Sequence, residues 1–435
     1  MKQSDIDRLR ELEIKDRLSD REFAQYEFLK RKKENDERVE QFQKNCAEPY
    51  ESKRSRAVNL AWEFYKHPDI DGKCYVAVGG LDSITLYLFL RSNGINVPAV
   101  SVSSLEDKSI QKVHKALGII PLKAEKDNTG HTYNKVKVIR DFGWPVISKE
   151  IAGKISHIQH PTEQNSTVRH AIITGETGAQ GGYRKGTRMQ LPKRWLEAFG
   201  GADQEGKELG YDEADFLVSD RCCYYLKEKP CDNYRKETGR WPNMGLMASE
   251  GGRREKALAI NGCNYVSPTT RRSCPFATFN RQDILTLALE MDTWYHEHWI
   301  EFRPVTVDEK TGEISYGEPI HLDSILPAIY GKIIRDERGL LQTTDAQRTG
   351  CAMCGFGIHK EQRPHRFDLL WERNPKEWDM WMNRVVQAED GSWYGWGHVL
   401  DYIGVDWRKP EKYVGMKRES ERWEQIDLLA PEQKV

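Results

Sequence analysis

Along the first 55 or so residues apolar side chains recur loosely, at Ile6, Leu9, Leu12, Ile14 and Leu18, then at Phe23, Tyr26 and Leu29, in a background dense in Lys, Arg, Asp and Glu. That weak helical period, with no sustained heptad, predicts a solvated helical arm. Docking of a protein partner is the sharper reading of the same arm. From about residue 57 the pattern changes. Residues 74–78 form a short apolar run that reads as a buried strand, Gly79-Gly80 follows, and residues 82–91 read as a helix with Asp82 near its start. Residues 97–102 repeat the strand and residues 108–117 the helix. Strands alternating with helices predict a doubly wound, mostly parallel α/β sheet covered on both faces.

Further on, glycine is frequent from Gly175 through Gly178, Gly181, Gly182, Gly186, Gly200 and Gly201 to Gly206. This reads as loop, broken by one short helix near residues 193–199. Asn280 with Asp283 resembles a capping box and predicts a helix from Arg281 to about residue 290. After residue 360 come Trp371, Trp378, Trp381, Trp393, Trp396 and Trp407, read as aromatics of helices packed onto the main body, with a nucleic-acid stacking surface as the rarer use of such residues. The expected division is an arm over 1–56, a nucleotide-binding α/β domain over 57–300, and a helical C-terminal region over 301–435.

Composition narrows the class. The 435 residues are 38% hydrophobic and 31% charged, which fits a folded globular chain. The 66 basic and 67 acidic residues leave a net charge of −1, so a globally basic nucleic-acid coat is excluded while a local patch is not. No apolar run approaches the roughly 20 residues that cross a bilayer. The charged start predicts a cytoplasmic rather than a secreted protein. Nine cysteines in such a chain point to metal ligation or free thiols before disulfides.

The strongest local signal is Val78-Gly79-Gly80-Leu81-Asp82-Ser83 between a strand and a helix. Two glycines with positive φ would turn consecutive N–H groups into one concavity, and the helix would add its N-terminal N–H groups and dipole. Ser83 can donate to the same oxygens, and Asp82 can cap the helix or hold Mg²⁺. A plain strand-to-helix turn is the bland alternative.

The second signal is in the cysteines. Cys222-Cys223 is an adjacent pair, and Cys351 with Cys354 forms a C-x-x-C among glycines. An adjacent pair wraps one small ion poorly but reaches two corners of a cubane, and four thiolates are what a 4Fe–4S cluster requires. A zinc site made of the same four cysteines and unligated thiols are the alternatives. Arg221, Lys227, Lys229 and Arg348 are expected to favour the thiolate form, and Cys74 to pack in its strand.

The glycine segment resembles the PP-loop of the adenine-nucleotide α-hydrolase superfamily, Ser-Gly-Gly-x-Asp-Ser, with Val78 in place of the first Ser. Taken with the two cysteine pairs, the chain resembles the phosphoadenosine phosphosulfate (PAPS) reductase-like family of bacteria and phages. Trp144-Pro145-Val146-Ile147-Ser148-Lys149-Glu150 looks like its Pro-x-x-Ser-Lys-Glu segment, and Asp220-Arg221-Cys222-Cys223 with Lys227, Lys229 and Pro230 like its Cys-Cys helix. The stretch from Tyr234 to Glu250, Gly262-Cys263-Asn264, Arg348-Thr349-Gly350-Cys351 and His359 fall in the same pattern, so the likeness spans roughly residues 70 to 400. The resemblance implies a PP-loop, ATP-pyrophosphatase-like fold with ATP, PAPS or adenylylsulfate (APS) held by Val78, Gly79, Gly80, Leu81, Asp82 and Ser83, with Lys149 and Glu250 contributing. It implies a 4Fe–4S cluster on Cys222, Cys223, Cys351 and Cys354. Asp82, Ser83 and Arg254 are the implied catalytic residues, with Mg²⁺ assisting if ATP is used.

Three departures qualify this. Val78 removes a hydroxyl, a loss on the order of 1 kcal/mol if it met a charged oxygen. Gly251 stands where the family's Glu-Ser-x-x-Arg segment has Ser. No cysteine follows Cys354, so the tail thiolate with which reductases of this family attack is missing. Reductive cleavage of a sulfonucleotide therefore competes with ATP-dependent thiolation or phosphorothioation of a second substrate, nucleic acid among the candidates. A degenerate nucleotide-binding subunit and a zinc-stabilised nucleic-acid binder are the other readings. Homo-oligomerisation is left open.

Overall fold

The computed structural model describes residues 1–179, 182–184, 189–200, 214–308, 311–347, 349, 351 and 353–414. Eight strands position the site: β1 Cys74–Ala77, β2 Ala99–Ser101, β3 Ile120–Pro121, β4 Val146–Ile147, β5 Trp241–Asn243, β6 Asn264–Val266, β7 Arg271–Ser273 and β8 Gly355–Phe356. Six of them form one sheet in the order β3-β2-β1-β5-β7-β6. Neighbours are parallel throughout except β6 with β7. Val76 of β1 stands opposite Ala99 on one side and Asn243 on the other. Chain order reverses at β1, so its carboxyl end is the kind of switch point where α/β sheets open a crevice. The chain is thus mixed α/β with a largely parallel sheet, as the alternation of elements predicts.

The helix Leu81–Ser92 follows β1 directly. Every residue from Ile84 to Leu90 is buried, as a helix without a polar face requires. It packs on the helix Arg281–His298, and Val76, Phe89, Phe276, Ile284 and Leu287 close a first core around them. Cys74 lies in this core as expected. The Asn280–Asp283 capping box is formed, and its helix runs past residue 290 to His298.

A second core joins Trp144, Ile155, Phe199, Phe367 and Trp396. Trp381 and Trp396 are buried, in line with packing aromatics, whereas Trp393 is half exposed. The scaffold of this region is the short segment from Trp144 to Ile147. Trp144 bridges in parallel to Val218, and β4 pairs in parallel with β8. The expected helix Lys193–Phe199 is present; Gly181, Gly186, Gly201, Gly206, Arg348 and Gly350 lie outside the described residues.

The arm consists of helices Gln3–Glu13 and Asp20–Ala47, the second opened by a Ser19–Glu22 capping box. Leu9, Leu12 and Leu29 make a small cluster of their own. The far end of the long helix is not merely solvated, since Phe42 packs with Ala248, Leu258 and Ala259. A third helix, Tyr50–Lys66, buries Ala57, Ala61 and Phe64. It carries Lys53, only 3% exposed, whose Nζ lies 2.9 Å from the buried Asp283 carboxylate. Asp283 also accepts the Asn280 N–H at 2.8 Å.

This pairing makes a stability prediction. Asp283→Ala leaves a buried ammonium without its counter-charge and is expected to cost about 3–5 kcal/mol in urea unfolding. The double change Lys53→Met, Asp283→Ala is expected to recover most of that, leaving about 1 kcal/mol for the lost cap.

Candidate functional site

The glycine turn leaves β1 and enters the Leu81–Ser92 helix through Gly80 as N-cap, with φ −84°. Neither Gly79 nor Gly80 has positive φ, which corrects the expectation of a left-handed turn. Glycine is required at position 80 for a different reason. A Cβ there would fall 2.4 Å from the Tyr330 hydroxyl and 2.8 Å from that of Thr349. Gly245 is similarly confined, because a Cβ would stand 3.0 Å from the backbone carbonyl of Asp82.

The turn's donors are engaged from within the chain. The Gly79 N–H donates to Ser83 Oγ at 2.8 Å, and that hydroxyl donates to the Gly80 carbonyl at 3.0 Å. The Leu81 N–H donates to the Tyr330 hydroxyl at 3.0 Å, which in turn lies 2.6 Å from Thr349 Oγ1. Burial pushes the Tyr330 phenol up to about 12, so it stays neutral. The Asp82 carboxylate meets Arg281 at 3.4 Å. On the other side, His114 Nε2 lies 2.7 Å from the Gly79 carbonyl, which makes that nitrogen the donor. Burial lowers the pKa of His114, although the Gly79 bond works the other way. Glu106, buried beside Gly79, accepts from Lys227 Nζ at 2.8 Å.

Lys227 connects the turn to the cysteines. Cys222 and Cys223 lie in the short helix Arg221–Cys223, which widens into a π-helical turn over Tyr224–Glu228 before the α-helix Lys229–Thr238. Such turns concentrate at functional sites. Cys351 and Cys354 sit on a tight turn closed by a 3.0 Å bond from the Cys354 N–H to the Cys351 carbonyl, with Met353 at φ +55°. All four cysteines line one cavity with Lys135, Pro145, Leu226 and Phe356. The space between them is small, with room for about one water molecule. All four are free thiols.

Burial pushes Cys222 and Cys223 up to about 12, against the pull of Lys135 on Cys222 and of Lys149 and Lys227 on Cys223. Burial raises Cys354 as well. Lys227 favours the Cys223 thiolate as expected, but desolvation outweighs it. Lys227 itself is raised, because Cys351 and Glu106 together overcome the opposing effect of burial.

The remaining sequence candidates are placed as follows. Lys149 pairs with Glu228 beside Cys223, and Arg254 pairs with Glu250 one helical turn away rather than with the glycine turn. His359 is packed edge-on to Trp195, and burial lowers its pKa. Glu106, His114, Lys135 and Tyr330 were not singled out from sequence. Each lies far along the chain from the motif it touches and carries no local signature.

Among the described residues, no group of three or more His, Cys, Asp or Glu side chains is arranged to hold a single metal ion. No family model, no curated protein and no solved structure matches the chain.

Two measurements check this geometry. Gly80→Ala must displace Tyr330 and Thr349 and is expected to destabilise by about 1–3 kcal/mol; adding Tyr330→Phe should return part of that in the same denaturant titration. For His114, the neutral ring is the folded form. Its stabilisation is fully present above the ordinary histidine value near 6.5 and is lost as pH falls toward the lower folded value. A His114→Gln variant should show a flatter stability profile across that window.

Proposed function

We propose that the chain is an iron–sulfur enzyme of PAPS-reductase-like type with a PP-loop fold, acting at the phosphate or sulfate end of an adenine nucleotide. One observation carries this reading. Two cysteine pairs remote in sequence line a single small cavity, which is joined to the turn after β1 through Lys227 and Glu106. A water centre must keep a van der Waals distance from every sulfur, whereas a metal bonded to sulfur stands closer, at about 2.3 Å for zinc. A small sulfur-lined space therefore suits a bonded group better than a free solute. Four thiols around one space match the ligand count of a 4Fe–4S cluster.

Cys222, Cys223, Cys351 and Cys354 would hold the cluster, which when bound supplies electron or sulfur chemistry. The nucleotide phosphates would lie at the switch point, against the N-terminus of the Leu81–Ser92 helix, with Ser83 redirecting its hydroxyl toward them and Mg²⁺ on Asp82 if ATP is used. Arg254 would add positive charge once released from Glu250.

A second reading is favoured by the turn itself. Tyr330 and Ser83 already take two of its N–H groups, and Val78 and Gly251 lack the family's hydroxyls. These features suit a catalytically degenerate nucleotide-binding subunit.

The test is anaerobic purification with iron, sulfide and zinc analysis, followed by assays of pyrophosphate release from ATP and sulfite release from PAPS. The expected protein is brown, with about four iron and four sulfide per chain, and Cys354→Ser loses most of both. Colourless protein with stoichiometric zinc overturns the cluster. Iron-loaded protein that binds nucleotide but releases neither product, with Val78→Ser equally silent, replaces the enzyme reading with the second one.

A further inference from the structure

The arm leaves a hollow where it meets the α/β body. Near its end the helix Asp20–Ala47 lies against the helix Gly252–Asn261, and Phe42 packs there with Leu258 and Ala259. The body's side of this contact is built largely from Ala248, Ala259 and Ala277. Side chains that small leave space beside the ring. A cavity of about 340 Å³ opens there, large enough for a small organic molecule. Phe42, Ala248, Ala259, Ile260 and Phe279 give it an apolar wall. It shares no lining residue with the thiol cavity.

Uncommitted polar groups gather on the same wall. Thr278 lines the cavity and is only 3% exposed; among the described residues its buried hydroxyl has no hydrogen-bond partner. A buried hydroxyl left unpaired is costly, so it calls for a partner that the chain itself does not supply. Rotation about the Cα–Cβ bond exchanges this hydroxyl with the methyl group, which lets the oxygen turn to a ligand. Asn280 uses its side-chain oxygen as a helix N-cap, accepting the Gln282 and Asp283 N–H groups at 2.8 and 3.1 Å. Its amide N–H groups are left to donate. Gln43 brings a second carboxamide at the exposed rim. The Ser249 hydroxyl donates to the Phe279 carbonyl at 3.0 Å and keeps its lone pairs for accepting. Charge on the lining cancels, because Glu255 and Lys256 are adjacent and both exposed.

Such a wall gives no net charge to an ion of either sign. An alkyl chain would leave its amides and hydroxyls unpaired. A flat, uncharged ring with apolar faces and an edge of donors and acceptors satisfies both parts, and carboxamide side chains pair with base edges through two hydrogen bonds. We infer that this cavity is a binding site for a nucleobase, with Gln43, Thr278 and Asn280 meeting its edge and the apolar wall its faces. The site rests on neither the cluster nor the glycine turn. The base can belong to a free nucleoside or to a nucleic-acid strand, and the chemistry at the cavity is the same for both. The arm is then one wall of a binding site, which the α/β body alone does not complete.

The probes are adenosine, guanosine, cytidine and uridine, which carry no phosphate and owe nothing to an anion site at the glycine turn. Calorimetric titration into the full chain should show one saturable site for at least one of them. Thr278→Val should weaken it about tenfold, and Gln43→Ala should weaken it in the same direction. Thr278→Val keeps the shape of the side chain while removing an unpaired hydroxyl, so the ligand-free variant should melt no lower than the parent. A hydroxyl that only held the fold together would lower the melting temperature when lost. No saturable binding of any nucleoside in the millimolar range, unchanged affinity in Thr278→Val, or clearly lower melting of that variant overturns the site. Hexanol binding more tightly than every nucleoside overturns the base class. A single-stranded oligonucleotide that binds more tightly than its nucleosides, when an abasic strand of the same length does not, marks a strand as the source; nucleosides that bind as tightly as the strand mark a free ligand. Colourless protein that binds a nucleoside through Thr278 defeats the cluster and leaves this site standing, whereas iron-loaded protein that binds none defeats this site alone.

Discussion

The arrangement of the site depends on one short backbone pairing. Trp144 bridges to Val218 on one side, and Val146 and Ile147 pair with Gly355 and Phe356 on the other. That strip aligns the chain leading into Cys222 with the chain leaving Cys354, so the thiols meet although no motif connects them. The pairing is held tightly. A Cβ on Gly355 would fall 2.3 Å from the Trp396 ring, and Trp144 and Trp396 are in edge contact within the second core. Ile147 takes φ +69°, an outlier for a β-branched residue, and the Gly357 N–H donates to its carbonyl at 2.8 Å. Strained residues persist where the surroundings over-determine them, and they gather at functional sites. Here Ile147 follows the cavity-lining Pro145 by two residues, and Met353 lies between Cys351 and Cys354.

The turn after β1 obeys a different constraint. Its glycines do not supply an unusual backbone conformation; they make room for Tyr330 and Thr349. Thr349 precedes Cys351 by two residues, so the segment bearing the C-x-x-C also reaches over the start of the Leu81–Ser92 helix. Lys227, four residues after Cys223, closes the same connection through Glu106. Turn and cysteines thus share two independent contacts, and a shift in one is felt by the other.

Local signals were legible because local physics made them. The apolar run at Cys74, the capping pair Asn280 and Asp283, and the alternation near residues 97–117 all became the elements they announce. The thiol set was legible from its count and spacing. The conformation of Gly79 and Gly80 was not, since it depends on a tyrosine 249 positions beyond Leu81. The balance between burial and charge at Cys222 and Cys223 is hidden from sequence for a related reason. Sequence shows which cations are near in the chain but not how deeply the thiols are buried, and burial decides.

Charge balance ties these parts together. With its thiols protonated the cavity is neutral, and of the two lysines beside it Lys227 has Glu106 while Lys135 has no carboxylate among the described residues. With four thiolates and no metal, the two ammonium groups would leave a net excess of negative charge in a space that scarcely admits water. The first state is the one a low-dielectric cavity favours, since burial holds the thiols neutral, and the second is costly there. The proposed cluster would make the second state tolerable, because ligation removes the thiol protons and supplies positive charge at the same point. Binding such a group would therefore alter the charge felt by Lys135, which acts on Cys222 and Cys354 from beside the cavity.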